Sequence, residues 1–144
     1  MIRFIKFNVH NSLNMAQETR REMHEKLIAL YISKIGSTTD GILMRVLGLD
    51  ATNQHHLNYM SVLMKDLEER KIVERFPKNL PYSCYFKSTS EGYAFVKNDL
   101  DATMRLIAND ERLYDEFKRF LTKEERKKYA RPKKLTRKLR IKSR

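Results

Sequence analysis

The chain has 144 residues, 41% hydrophobic and 33% charged, which fits one domain with a modest core and a charged exterior rather than an elaborate multi-domain enzyme. Its formal charge is +12 and its longest apolar run, Leu27 to Ile32, is far short of a membrane span, so a polyanionic partner is expected and a transmembrane helix is not. The single cysteine, Cys84, excludes an internal disulfide and a cysteine-based metal cluster within one chain, and its expected place is a buried position in a strand.

In chain order, Ile2, Phe4, Ile5, Phe7 and Val9 are interleaved with Arg3, Lys6 and Asn8, an alternation that predicts one strand. Charge inside this stretch and the lack of a small-residue cleavage site argue against a secretory signal, so a cytoplasmic location is expected. Asn14 followed by Gln17 has the form of a capping box and starts a first predicted helix, with Met23, Leu27, Leu30, Tyr31 and Ile35 as its buried face and Gly36 as its left-handed end. Ser37, Thr38 and Thr39 then precede a short second helix with apolar positions Ile42, Leu43, Val46 and Leu47, stopping at Gly48. A third helix is predicted from Thr52 to Arg70, with Leu57, Met60, Met64 and Leu67 inward. Two helices joined by a few residues that include glycine outline a helix-turn-helix.

After Lys71, the residues Ile72, Val73 and Phe76, then Cys84, Tyr85 and Phe86, with Pro77, Asn79 and Pro81 between them, predict two short strands around a rigid loop. Ser88 or Thr89 caps the next helix. Its apolar positions Tyr93, Val96, Leu100, Met104 and Ile107 are followed, after an interruption at Asn109 and Asp110, by Leu113, Phe117, Phe120 and Leu121. Arg131-Pro132 ends the helical potential. Residues 123–144 hold 12 of the 30 Lys and Arg against two acids, a local charge of +10, and predict a basic arm.

Leu63-Met64-Lys65-Asp66-Leu67-Glu68-Glu69-Arg70 running into Lys71-Ile72-Val73, then the hairpin, then Thr89-Ser90-Glu91-Gly92 opening a helix, resembles the winged-helix DNA-binding domains of the prokaryotic MarR, PadR and ArsR regulator families over about residues 15–100. The resemblance implies a mainly α fold with a small β-hairpin, that is, a winged helix-turn-helix with a C-terminal helical extension. The corresponding divisions are an N-terminal strand or arm over 1–12, the winged helix over 13–100, an extension over 101–122 that could pair two copies, and the basic tail over 123–144. Those families have a glycine where this chain has Lys71, which must therefore adopt the backbone twist of that position.

The resemblance further implies that His55, Asn58, Tyr59, Ser61 and Lys65 on the third helix face DNA. Asn suits an adenine edge, Ser and Tyr suit a base or phosphate, and Lys neutralises charge. The wing would bring Arg75, Lys78 and Lys87 to the adjacent backbone or minor groove. Arg131, Lys133, Lys134, Arg137, Lys138 and Arg140 of the arm would displace counterions from the nucleic acid and add affinity without sequence information. The apolar steps from Tyr93 to Leu121 exceed what one short helix needs, so a homodimer is expected, with two reading helices about 34 Å apart on consecutive major grooves.

Chemistry is sparse. His24-Glu25-Lys26-Leu27-Ile28 lacks the second histidine of a helical zinc-protease signature, and His55 and His56 diverge by about 100° on one helix. Four glycines form no phosphate-binding loop, and no serine is flanked by glycines. Glu69 and Lys71, spaced as in some nucleases, sit among other charges at a helix end. No enzyme, metal or cofactor is expected. The leading expectation is a transcriptional regulator that binds double-stranded DNA. The alternative is a winged-helix interaction module of a replication, partition or polymerase assembly, with the tail holding DNA or RNA nonspecifically.

Overall fold

The computed structural model describes residues 20–76 and 85–129. The predicted N-terminal strand, the Asn14 capping box, Lys78, Cys84, the hairpin tip and the arm from residue 130 onward lie outside the described residues. Two units are distinguished, Met1–Lys97 and Asn98–Arg144.

In the first unit, helix α1 is described over 20–35. Leu27, Leu30 and Tyr31 are at most 1% exposed, as their spacing predicts, whereas Ile35 is 38% exposed. Gly36 ends the helix at φ 95°, its amide still bonding the Ile32 carbonyl at 2.8 Å in the helical pattern.

Strand β1, Ser37–Thr39, follows where only a helix cap is predicted. Three residues with no apolar alternation carry no strand signal of their own; pairing with a later strand makes them one. Thr39 still caps α2, Asp40–Leu47, accepting the Ile42 amide, and Gly48 ends it at φ 76° with hydrogen bonds to Arg45 and Met44. The turn to α3 is built by polar side chains. Asp50 accepts both the amide and the hydroxyl of Thr52, at 2.9 and 2.7 Å, and these bonds hold its carboxyl below the usual range. Asn53 then accepts the amides of His55 and His56, so α3 begins at Gln54, two residues later than predicted, and runs to Glu69.

Lys71 takes the left-handed conformation, φ 62°, that glycine would take without strain. Its amide bonds the Glu68 carbonyl and that of Ile72 bonds Leu67, closing α3 and launching β2, Val73–Phe76. Strand β3, Tyr85–Ser88, pairs antiparallel with β2 on one side and β1 on the other, in the order β1-β3-β2. The register sets Phe86 opposite Thr38 and Arg75, which turns Phe86 inward at 1% exposed and Tyr85 and Lys87 outward.

Helix α4, Ser90–Asn98, is locked to the start of the wing. Thr89 Oγ1 accepts the Gly92 amide at 2.9 Å and donates to the carbonyls of Lys71 and Ile72. Gly92 lies so close that a Cβ there would stand 2.2 Å from the Ile72 carbonyl oxygen. Helix, strand, helix, helix, two-stranded wing and helix, with the first strand completing the sheet, are the parts of a winged helix-turn-helix.

In the second unit, α5 spans Leu100–Ala108, α6 spans Glu111–Phe117 with Asp110 as its cap, and a 3₁₀ turn occupies Lys118–Phe120. The interruption predicted at Asn109 and Asp110 is present, and a further break falls at Asp99. Thr122 and Glu125 form a capping box that starts α7, Lys123–Lys128, within the range expected to be tail. Tyr129 closes the turn, its hydroxyl on Asp101 Oδ1 at 2.7 Å.

Met104, Ile107, Leu113, Phe117 and Leu121 are at most 6% exposed in the single chain. The apolar excess that motivated a homodimer is therefore already covered for these residues; Tyr93, 54% exposed, is not. No described helix is long and apolar enough to cross a membrane.

Candidate nucleic-acid interface

Helix α3 places Met60, Leu63, Met64 and Leu67 inward, none more than 2% exposed, whereas Leu57, expected inward, is 38% exposed. The opposite side carries Gln54, Asn58, Ser61 and Lys65, all exposed and, by the helical repeat, within about 60° of one another. His55 and Val62 flank this ridge, both exposed. His55, Asn58, Ser61 and Lys65 thus stand on the outward side where the sequence puts them.

Tyr59 does not. It lies about 100° around the helix from Asn58, half-buried, with its hydroxyl hydrogen-bonded to His24 Nδ1 at 2.7 Å and its ring edge-on to the His24 ring. Burial raises the Tyr59 pKa, so the hydroxyl stays neutral. Its role here is to attach α3 to α1, a pairing across 35 residues that the sequence could not reveal.

A second attachment lies further along the helix. Arg70 Nη1 stands 3.0 Å from Glu25 of α1 and 3.0 Å from Asp66, with Arg21 at 3.6 Å from Glu25 and 3.5 Å from Asp66. Glu25 has only 8% of its side chain exposed, so this pairing is what makes its charge tolerable. The hydrogen bond from Arg70 holds the Asp66 carboxyl below its ordinary value. Arg70 also stacks on Phe95 of α4, 5.5 Å from the ring centre. Helices α1, α3 and α4 thereby share one guanidinium.

The two described wing cations of the expected set, Arg75 and Lys87, are each paired with a carboxylate. Arg75 is 3.4 Å from Glu68 and lies 4.9 Å over the Phe86 ring, with 29% of its side chain exposed. It braces the wing against α3 from the inner side of the sheet. Lys87, on the outer side, pairs with Glu74 at 3.0 Å and approaches the Phe76 ring. Between α3, β2 and the start of α4 runs an open groove of about 930 Å³ whose lining includes Lys65, Lys71 and Arg75 as well as Glu68, Glu74 and Glu91. Three cations against three carboxylates leave it without net attraction for phosphate.

Besides the exposed carboxylate of Glu69 at the end of the same helical line, two residues of the exposed ridge lie outside the sequence-based set. Gln54 is one; its Nε2 donates to Asn58 Oδ1 at 2.9 Å. Val62, 57% exposed, is the other. Spacing alone could have indicated both, since Gln54 is four residues before Asn58 and Val62 four after it.

No protein-family model and no curated protein matches the sequence. In structure the chain is similar to the reduced form of MarR from E. coli, with 18% sequence identity and a TM-score of 0.45 over 90% of this chain and 94% of that one. It is similar also to the oxidised form, with 21% identity and a TM-score of 0.42 over 90% and 92%, and to a mutant MarR complexed with operator DNA, with 20% and 0.41 over 92% and 93%.

Proposed function

We propose that this chain is a sequence-specific double-stranded DNA-binding protein that acts as a transcriptional regulator, with α3 in the major groove and the basic residues of 131–144 on the phosphate backbone. The observation that carries the reading is the division of α3 into a buried apolar side and an exposed polar ridge of Gln54, Asn58, Ser61 and Lys65. A helix about 24 Å long with amide, hydroxyl and ammonium groups outward can meet both base edges and phosphates. The net charge of +12 supports a polyanionic partner. A homodimer, which would set two such helices on one face of the duplex, belongs to the same proposal and is tested by sedimentation of the free protein.

The deciding experiment is selection of preferred duplexes from a random pool, followed by binding of the selected duplex and a scrambled one across salt. Preference for the selected duplex that disappears with Asn58→Ala supports the regulator. Equal affinity for both duplexes excludes it.

A second reading, an interaction module whose tail holds nucleic acid nonspecifically, is favoured by the pairing of Arg75 with Glu68 and of Lys87 with Glu74. Those pairs occupy the cations that a DNA-binding wing would extend. Binding indifferent to Asn58 but abolished by removal of 131–144 is the outcome this reading requires.

A further inference from the structure

Val62 is the most exposed of the large hydrophobic residues among those described. Folding does not account for it: the side chain buries little, and valine in an exposed helix interior is a poorer helix former than alanine, lysine or glutamate. It stands beside Asn58 and Lys65 on the ridge that the proposed function assigns to the major groove. There the one apolar group offered by any base is the thymine methyl.

The other half of the argument lies one turn earlier. Gln54 Nε2 donates to Asn58 Oδ1 at 2.9 Å, so the two exposed amides are joined. The bond turns Gln54 Nε2 and Asn58 Oδ1 toward each other and leaves Gln54 Oε1 as an acceptor and the Asn58 amide nitrogen as a donor for a further partner. Adenine presents the complement, the N6 donor beside the N7 acceptor. Guanine presents two acceptors, and its O6 would oppose the glutamine oxygen.

We infer that α3 is specific for A·T pairs, with the joined Gln54–Asn58 amides on an adenine edge and Val62 against a thymine methyl. This deepens the DNA-binding proposal and rests on it. Asn58 and Val62 are one turn apart, about 6 Å along the helix axis, and base pairs are spaced about 3.4 Å, so the adenine and the thymine lie one or two steps from each other.

The test starts from the duplex that selection returns and changes single atoms in it. Replacing thymines one at a time by deoxyuridine removes only the methyl. One such position is expected to weaken wild-type binding by about four-fold, the worth of one buried methyl, and to leave Val62→Ala binding unchanged. Replacing adenines by 7-deazaadenine removes N7; one position is expected to cost the wild type at least about five-fold and Asn58→Ala nothing. Both variants alter exposed side chains, and circular dichroism checks that they fold. Selective binding insensitive to uracil at every thymine, or equally sensitive in Val62→Ala, overturns the inference while leaving the DNA-binding reading intact. A selected site without A·T pairs does the same. No preferred duplex at all removes both.

Discussion

Tyr59 shows how one residue's neighbours decide its role. An exposed tyrosine on a reading helix would bind DNA; this one is turned to His24, which is 9% exposed. Tyr59→Phe is therefore expected to cost about 1 kcal/mol of stability, because it removes the hydrogen bond that ties α3 to α1, and to leave DNA affinity unchanged. Urea denaturation beside a binding titration checks both halves, and a large loss of affinity with unchanged stability would return Tyr59 to the interface. Gly92 and Lys71 meet at the junction of α4 with the wing but respond oppositely to substitution. Gly92→Ala pushes a methyl into the Ile72 carbonyl, with an expected cost of roughly 2 kcal/mol. Lys71→Gly relieves a left-handed backbone worth about 1–2 kcal/mol and surrenders some of that to the greater freedom of the unfolded chain, for a net gain of roughly 0.5 kcal/mol. The pair separates when both midpoints are measured in one denaturant series.

At the scale of elements, the placement of α3 depends on its attachments to α1 and α4. Arg70 connects Glu25, Asp66 and Phe95, so Arg70→Ala leaves the buried Glu25 carboxylate, among the described residues, with the more distant Arg21. Since 40% of the Arg70 side chain meets solvent, the expected cost is about 2 kcal/mol rather than the larger figure for a fully buried pair. The acid limb of stability follows from Asp66. Its folded pKa lies below the ordinary 3.8, so the stabilisation is complete above that value and is lost as pH falls through the lower, folded one. Unfolding free energy measured from pH 7 to 5 should show no contribution from this group, and Asp66→Asn should flatten the decline below about pH 4. If Asp66→Asn instead changes the slope near neutrality, the bond from Arg70 is not what sets its charge.

For the whole molecule, the distribution of charge matters more than its sum. Most of the +12 is concentrated beyond residue 122, while the groove beside α3 is balanced. The proposed DNA-binding reading accordingly draws most of its phosphate attraction from the arm. Removal of residues 131–144, which deletes eight Lys and Arg, is expected to lower the slope of log K against log salt by about 0.9 for each phosphate the arm had neutralised, with the preference among sequences retained. Lys65→Ala should lower that slope by about one unit, uniformly across duplexes, whereas Asn58→Ala should erode discrimination. An unchanged slope after truncation would remove the arm from the interface.

The sequence by itself determined most of the inward sides of α2, α3 and α5, because apolar spacing there follows the helical repeat, and several helix ends carry a residue chemically suited to cap them, such as Gly36, Gly48, Thr89 or Asp110. It also specified the outward polar ridge, since a helix with one apolar side must expose the other. Tertiary structure alone decided which ridge residues are available and which are occupied. Strand β1, the His24–Tyr59 bond, the Glu25–Arg70 pair and the stacking of Arg75 on Phe86 each join positions that are distant in sequence or far from their expected partners. Local periodicity records whether a side chain points in or out, but contact between two such side chains depends on how the elements pack, and no pattern within one element contains that information.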